Sequence, residues 1–180
     1  MHKLTDNGLR WLWVTIVVVA LDQWTKYLAE THLSFGAPRE LLPGLDLSLA
    51  YNRGASWGFL HDAGGWQRWL FVALAIFISV VLVNWLRRLP REARWLPVSF
   101  ALILGGAIGN VWDRVQLGHV VDFIQVWFGS WPFPTFNLAD TAISIGAVML
   151  IIDYLRGGYS RHDDAEREQP HTPSKGETHD

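Results

Sequence analysis

The sequence predicts an all-α integral membrane protein with four transmembrane helices. Half of its residues are hydrophobic, these concentrate in four long apolar segments, and many of its eleven tryptophans lie near the ends of those segments. A chain of 180 residues suits one domain. The absence of cysteine excludes disulfides, a thiolate nucleophile and a cysteine-ligated metal. The net charge of -2 predicts no nucleic-acid partner.

The four apolar segments are each about 17 to 19 residues long, enough to span the hydrocarbon core of a bilayer. They comprise residues 11–29, 70–86, 96–112 and 139–155. Buried helices of a soluble bundle would show polar residues at a period of 3.6, and the second segment has none before Asn84. Tryptophan prefers the headgroup level, and the tryptophans near segment ends are Trp11, Trp13, Trp66, Trp69, Trp85, Trp95 and Trp112.

The first segment also has the basic start of a secretory signal peptide, with Lys3 and Arg10 before it. No A-x-A cleavage site follows, and the chain continues into Asp22, Gln23 and Lys26. We therefore expect an uncleaved first helix.

Basic residues predict the orientation of the helices. Lys and Arg accumulate in cytoplasmic loops, and the connection 87–95 carries four arginines. This connection and both termini are therefore placed in the cytoplasm, whereas the connections 30–69 and 113–138 face outward. The polar segment 157–180 is predicted to be a disordered cytoplasmic tail, so that residues 1–156 form the membrane domain.

The two outer connections are more than simple linkers. Leu45, Leu47 and Leu49 alternate with other residues, which predicts a short strand. The second connection contains HVVDFIQVWFGSWPFPTFNLAD. Its aromatic, amphipathic character predicts a loop on the membrane surface.

Ionisable and amide side chains collect near the outer surface. Placing such groups in a membrane costs free energy, so their presence indicates a structural or functional role. The inner halves of the segments carry few of them, with Asn84 and Asp153 at the inner rim. The outer layer comprises Asp22, Lys26, Asn52, Arg53, Asn110, Asp113, Arg114, Asp122, Asn137 and Asp140.

These polar residues also have structural explanations. Asp22 and Lys26 are four residues apart and can pair on one helix face. Asn137 can cap the fourth helix, whose start also favours Asp140. The other helix residues can form interhelical bonds or interface charges, namely Asn110, Asp113 and Arg114.

Asp122 and Asp140 are the best candidates for chemistry. Asp122 lies among apolar residues in VVDFI, and Asp140 lies at the start of the fourth segment in NLADTAI. Neighbouring carboxylates do not both ionise cheaply, so one of them keeps a proton. Such a pair can activate water and protonate a leaving amine. Spacing alone leaves open whether these two carboxylates meet.

The run GASWG at 54–58 has the G-x-S-x-G form of a nucleophile elbow. His61 and His119 follow and would fit a serine hydrolase with Ser56 as nucleophile. The bulky Trp57 follows Ser56, however, no helix start is evident, and the pattern is weak in a chain with 16 glycines. A tight turn explains these glycines better.

The sequence fits three other classes of protein less well. A metalloprotease is disfavoured because the sequence has no H-E-x-x-H motif and no compact cluster of His and carboxylate residues. A proton-coupled transporter would carry ionisable groups through both halves of the membrane, and its sequence would often consist of two repeated halves. This sequence has neither feature, which disfavours a transporter. A non-catalytic membrane scaffold stays open, and it would tolerate the loss of both aspartates.

Five blocks of the sequence resemble the lipoprotein signal peptidases (signal peptidase II), the aspartic endopeptidases that process bacterial prolipoproteins. The blocks are LDQWTK at 21–26, NRGASWGF at 52–59, GGAIGNVWDR at 105–114, VVDF at 120–123 and FNLADTAIS at 136–144. They occur in family order and cover 10–155. Together they are specific, whereas any one block is not. Ser56 and Trp57 depart from the family, which often has Ala and Phe at these positions.

The resemblance implies a small extracytoplasmic β-cradle and a surface loop or helix over the site, added to four membrane helices. It implies that Asp122 and Asp140 are the catalytic aspartates, without assigning the role of each. It further implies that the enzyme needs neither a metal nor an organic cofactor. The residues implied to line the substrate site are Asn52, Gly54, Asn110, Arg114 and Asn137, with Asp22 and Lys26 supporting them.

The implied substrate is a prolipoprotein whose lipobox cysteine bears a diacylglyceryl group. Cleavage just before that cysteine releases the signal peptide. The resemblance also implies contact with membrane lipid and inhibition by globomycin-type cyclic peptides. We expect a monomer in the bacterial cytoplasmic (inner) membrane, with its active site near the extracytoplasmic surface.

Overall fold

The computed structural model describes residues 7–54 and 64–157 of the chain. Ser56, Trp57 and the predicted tail beyond Gly157 lie outside the described residues. The described helices are α1 (Leu12–His32), α2 (Trp66–Arg88), α3 (Trp95–Leu117) and α4 (Leu138–Leu155), with a short 3-10 helix before α1 at Gly8–Trp11. The strands are β1 (Arg39–Leu42), β2 (Leu45–Asn52), β3 (Val120–Phe128) and β4 (Trp131–Pro132).

Three of the described helices, α2, α3 and α4, are long and apolar enough to cross a membrane. Large apolar side chains on them are exposed, such as Phe77 of α2 and Ile151 of α4. α1 is not among the three, since Asp22, Lys26 and Glu30 lower its hydropathy. The prediction of apolar spans beside a small sheet is therefore confirmed for α2, α3 and α4.

α3 lies at the centre of the bundle and contacts each of the other three helices. Glycines permit this close packing, as is common where membrane helices meet. A Cβ atom added to Gly105 would lie 2.7 Å from Cβ of Val18 in α1, and one added to Gly106 would clash with the backbone of Ala139 in α4. α1 and α4 therefore approach the backbone of α3 directly.

The helices extend beyond the apolar segments that predict them. α3 continues from the predicted end at 112 through Leu117 and stops before Gly118, whose φ of 83° is left-handed. Asp113 and Arg114 therefore lie on the last turns of the helix and not beyond it. The helix tolerates these charges because both have partners there, described below.

The strands form one antiparallel sheet in the order β1-β2-β3-β4. The predicted short strand at Leu45–Leu49 is confirmed as part of β2. The register pairs Ala50 with Asp122 and Asn52 with Val120. β3 follows directly after α3, so the sheet covers the end of the bundle where α1 and α3 finish and α4 begins, here called the sheet end.

The prediction of a membrane-surface loop for the second outer connection is wrong for residues 120–128. They form β3, in which Val121 and Phe123 are buried against Leu49 of β2 and Ala29 of α1. β-Branched and aromatic residues fit a half-buried pleated strand, and they resemble an amphipathic surface segment when the partner strand is unknown. A loop or helix covering the site stays a prediction, because residues 55–63 lie outside the described part.

Candidate active site

The chain just before α4 is attached to β3. The backbone N–H groups of Phe123 and Ile124 lie 3.1 and 2.9 Å from the carbonyl oxygen of Phe136, and the N–H of Phe136 donates to Ile124 at 2.9 Å. This pairing brings the start of α4 beside the middle of β3. As a result, Asn137 and Asp140 lie next to Asp122.

Asn137 and Asp140 form a capping box at the start of α4. The backbone N–H of Asp140 donates to Oδ1 of Asn137 at 2.9 Å, and the backbone N–H of Asn137 donates to Oδ2 of Asp140 at 3.2 Å. The predicted cap is therefore confirmed. It holds the carboxyl group of Asp140 in one orientation toward the sheet end.

Asn137 also joins the two aspartates. Its Nδ2 atom lies 2.7 Å from Oδ1 of Asp122, as well as 3.2 Å from the carbonyl oxygen of Val121 and 3.2 Å from Oδ1 of Asn110. Asn137 is fully buried. The structure thus brings Asp122 and Asp140 into contact with one shared asparagine, whereas sequence spacing left open whether they meet.

Asn110 connects the aspartates to α1. Its Nδ2 donates to Oδ1 of Asp140 at 2.8 Å, and its Oδ1 accepts a bond from Nζ of Lys26 at 3.1 Å. The prediction that Asn110 bonds between helices is confirmed. Because Lys26 engages the amide oxygen, the amide nitrogen of Asn110 is directed to the carboxyl group of Asp140.

Lys26 lies between two buried carboxylates. Its Nζ is 2.8 Å from Asp22 and 2.7 Å from Asp113. The predicted pairing of Asp22 with Lys26 is therefore confirmed. Asp22 also accepts a bond from the backbone N–H of Ala139 at 2.9 Å. These ion pairs join α1, α3 and the first turn of α4.

Asp113 and Gln23 belong to this network, although the sequence alone did not place them in the site. Asp113 is buried and accepts bonds from Nε2 of Gln23 at 2.8 Å and from the backbone N–H of Val121 at 3.2 Å. Asp113 follows Asn110 by three residues and so shares its helix face. That spacing is the signal that would have distinguished it from an ordinary interface charge.

The end of β2 forms one wall of the candidate active site, beside Asp122. Nδ2 of Asn52 donates to Oδ2 of Asp122 at 3.2 Å, while its Oδ1 accepts from the N–H of Gly54 at 3.1 Å. Nη2 of Arg114 donates to the carbonyl oxygen of Gly54 at 3.1 Å, and its guanidinium lies 5.0 Å from the ring centre of Phe71. Among the described residues, Nε of Arg114 has no hydrogen-bond partner.

The environment of Asp122 favours a proton on its carboxyl group. Burial raises the pKa of Asp122 from its ordinary 3.8 to about 7, and the nearby charge of Asp140 acts in the same direction. The bonds from Asn52 and Asn137 oppose this shift without cancelling it. A carboxyl group that keeps its proton near neutral pH can act as an acid on a bound molecule.

The described residues contain no group of three or more His, Asp or Glu side chains able to hold a metal ion. Every residue predicted for the site except the supporting pair, Asp22 and Lys26, belongs to the connected group of Asn52, Gly54, Asn110, Arg114, Asp122, Asn137 and Asp140. The supporting pair contacts this group through Asn110. The fold and the site together define an integral membrane protein with a two-carboxylate centre at one end of an apolar helix bundle.

Comparison with known proteins identifies the family. The family model described as Signal peptidase (SPase) II matches residues 14–156. A lipoprotein signal peptidase of Acinetobacter baumannii is 50% identical over 153 residues, covering 85% of this chain and 87% of that protein. One from Pseudomonas paraeruginosa is 53% identical over 150 residues, covering 82% and 89%. The chain therefore belongs to the signal peptidase II family of peptidases, as its sequence blocks indicate.

A solved structure has the same fold. It is described as a bacterial membrane enzyme, determined by the in meso method at 2.3 Å resolution. Its TM-score with this chain is 0.74 at 31% identity, and the match covers 96% of this chain and 99% of that one.

Proposed function

We propose that this chain is a membrane aspartic endopeptidase that removes the signal peptide from diacylglyceryl-modified prolipoproteins, cutting just before the lipidated cysteine. The observation that carries the proposal is the hydrogen bonding of both Asp122 and Asp140 to the same residue, Asn137. Family membership supports the choice of substrate. A signal peptide is a membrane-embedded apolar helix, and the polar centre at the end of an apolar bundle suits a scissile bond at the membrane surface.

In the proposed mechanism Asp140 is the base and Asp122 is the acid. Asp140 accepts hydrogen bonds from Asn110 and from the backbone of Asn137, and it lies in the first turn of a helix, where a negative charge is favoured. It removes a proton from a water molecule, whose oxygen then attacks the scissile carbonyl carbon. Protonated Asp122 donates a hydrogen bond to the carbonyl oxygen and stabilises the charge that develops there.

Collapse of the tetrahedral intermediate breaks the carbon–nitrogen bond. The proton that Asp140 took from water is passed to the leaving amine of the cysteine, so that the pair returns to its starting state. Asn52 and Asn137 hold the acid carboxyl group in place during these steps. Arg114 and Gly54 lie beside them, and Nε of Arg114, which has no hydrogen-bond partner within 7–54 and 64–157, would donate to a substrate oxygen.

We propose that α1 is the fourth membrane span. Its 21 residues give a helix about 31 Å long, close to the thickness of the hydrocarbon core. Of the charged residues that lower its hydropathy, Asp22 and Lys26 are buried in the bundle, and Glu30 lies exposed in the last turn. The exposed side chains before that turn are apolar or aromatic, including Ile16 and Trp24. A bilayer therefore meets an apolar surface on α1 also.

The proposed location is the bacterial cytoplasmic membrane, with both termini in the cytoplasm and the sheet end at the extracytoplasmic surface. The basic connection between α2 and α3 supports this orientation. The enzyme acts as a monomer without a metal or organic cofactor. Exposed apolar residues of α2 and α3 beside the site, such as Trp69 and Trp112, would contact membrane lipid and the diacyl chains. Globomycin-type cyclic peptides would compete for this site.

A cleavage assay tests the proposed function. The purified protein in detergent micelles is incubated with a diacylglyceryl-modified prolipoprotein and, separately, with the same precursor lacking the lipid. We expect the signal peptide to be released from the modified precursor only, with the new N-terminus at the lipidated cysteine. No release from either precursor would instead favour the non-catalytic scaffold.

The pH dependence of the reaction tests the assignment of the acid. Since the pKa of Asp122 is raised to about 7, its proton is present below this pH and is lost above it. We expect kcat/KM to fall as the pH rises through about 7, by roughly tenfold per further unit. A rate profile that stays level or rises between pH 7 and 9 would contradict Asp122 as the acid.

Replacing Asn52 with alanine tests the wall formed by β2. The change removes the hydrogen bond to Asp122 and the turn bond from Gly54. We expect kcat to fall roughly 2-fold to 10-fold, the effect of about 0.5–1.5 kcal/mol for a bond to an uncharged group, because Asp122 is the protonated acid. Ser56→Ala is the matched control and should leave cleavage nearly intact. If Ser56→Ala abolished cleavage while Asn52→Ala did not, a serine nucleophile would replace the aspartate pair.

A further inference from the structure

A cavity lies at the sheet end, and neither of the two aspartates lines it. It has a volume of about 500 Å³ and lies between the start of α2 and the end of α3. Among its described lining residues are three with basic side chains, Arg53, Arg68 and His119, and none of the lining residues that the structure describes is acidic. Two acidic groups act electrostatically on His119, namely Glu30 of α1 and Asp113 of α3. The cavity therefore has an excess of positive charge.

Arg68 is fixed in position and still has an unused donor. Its Nη2 donates to the carbonyl oxygen of Val115 at 2.8 Å, and its guanidinium stacks on Trp69 at 4.7 Å from the ring centre. Its Nε is buried and has no hydrogen-bond partner among the described residues. A buried donor without a partner is costly unless a bound group satisfies it.

His119 also has a buried nitrogen without a hydrogen-bond partner among the described residues. This atom is Nε2, and the ring contacts the ring of Tyr51 with centroids 4.5 Å apart. Burial lowers the pKa of His119 below its ordinary 6.5, and the charge of Arg53 contributes to this. An anion in the cavity would offset the charge of Arg53 and favour a proton on Nε2, which would then donate to the anion.

The start of α2 adds a further positive field. Gly64 and Gly65 line the cavity and precede the first residue of this 23-residue helix. The N-terminus of a helix carries the positive end of its dipole and favours phosphate groups. Together with the three basic side chains, it makes the cavity suited to an anion.

The cavity lies at the level of the lipid headgroups. α2 is one of the helices able to cross a membrane, and its first turn carries Trp66 and Trp69, which are 55% and 58% exposed. Tryptophan at the end of a membrane helix marks the headgroup region. The anion present there at high density is the phosphate of phospholipids.

We propose that this cavity binds the phosphate group of an anionic phospholipid in the leaflet on the side of the sheet. Arg53, Arg68 and, once protonated, His119 donate to the phosphate oxygens, and the acyl chains lie along the exposed apolar start of α2. The bound lipid borders the candidate active site, because Arg53 follows Asn52 and Val115 follows Arg114. The proposal concerns binding and does not depend on peptidase activity.

Binding is tested on the purified protein in detergent by native mass spectrometry with dioleoylphosphatidylglycerol. Dioleoylglycerol, which has the same chains without phosphate, and inorganic phosphate serve as the comparison ligands. We expect Arg53→Gln to weaken phosphatidylglycerol binding about tenfold, as for the loss of one charged hydrogen bond. Arg39→Gln, an equal change of charge on the exposed strand β1, should bind like the wild type.

Arg53 is exposed, so its variant should fold even if Arg68→Gln, which loses the bond to Val115, does not. A second readout is the pKa of His119 measured by NMR, which should rise when phosphatidylglycerol is added. Equal binding of phosphatidylglycerol to the wild type and Arg53→Gln would overturn the proposal. Binding of inorganic phosphate but not of the lipid would overturn the lipid as the source of the phosphate.

The same titration with Asp122→Asn separates this proposal from the proposed function. That variant should bind phosphatidylglycerol like the wild type although its cleavage is lost. A wild-type protein that cleaves prolipoprotein without binding phosphatidylglycerol would overturn only the lipid site.

Discussion

Replacing Asp140 with asparagine is expected to reduce cleavage of a lipidated prolipoprotein by roughly 10²-fold to 10⁴-fold, or below detection, because a general base is lost. Asparagine has nearly the same shape and keeps one acceptor oxygen for Asn110. The capping bond from the backbone N–H of Asp140 to Asn137 is kept, and only the reciprocal bond from the N–H of Asn137 to Oδ2 of Asp140 is lost. The variant should therefore insert and fold, and single-turnover cleavage assays in micelles would measure the loss. Asp122→Asn should have an effect of similar size, through loss of the acid.

Asp153→Asn is the matched control, because Asp153 lies near the opposite end of the same helix. It should cleave like the wild type. Retained cleavage by either Asp140→Asn or Asp122→Asn would exclude the mechanism with two aspartates, provided that the thermal unfolding of the variant matches that of the wild type.

Replacing Lys26 with methionine should have the largest effect on stability. Methionine fills a similar volume, but Asp22 and Asp113 are then left as buried carboxylates without their cation. Removing one partner from a buried ion pair costs about 3–5 kcal/mol. The free energy of unfolding in detergent, measured by chemical denaturation, should fall by about this amount. Cleavage should also fall, because Asn110 loses the bond that orients it toward Asp140.

Two further variants interpret that result. Arg88→Met removes an exposed charge at the end of α2 and should change the stability little. The second is the triple variant that combines Lys26→Met with Asp22→Asn and Asp113→Asn. It removes the unpaired charges and should restore much of the stability. If Lys26→Met alone were as stable as the wild type, the three charges would not form a closed buried network.

Much of the architecture was predictable because the bilayer imposes it. The thickness of the hydrocarbon core sets the length of an apolar segment, which is why α2, α3 and α4 are evident in the sequence. The cost of a charge in lipid likewise makes a layer of polar residues stand out. α1 is less evident, since composition alone does not show that Asp22 and Lys26 face the bundle and not the lipid.

The arrangement within the polar layer was not predictable, because it depends on contacts between distant parts of the chain. Asn52 and Asp122 are 70 residues apart in sequence, and they meet because β2 pairs with β3. The composition of the segment that forms β3 also fits a surface loop, and only its pairing with β2 identifies it as a strand. Asp113 similarly shows its importance only when α1 brings Lys26 against it.

Asn137 gives the molecule a link between folding and activity. The same side chain caps α4 at the backbone of Asp140, contacts β3 and bonds to the carboxyl group of Asp122. A chain whose last helix begins at another residue, or whose sheet has not yet formed, has no aligned pair of carboxyl groups. Newly made protein would therefore stay inactive during insertion into the membrane. A partly folded chain would not cleave neighbouring precursors.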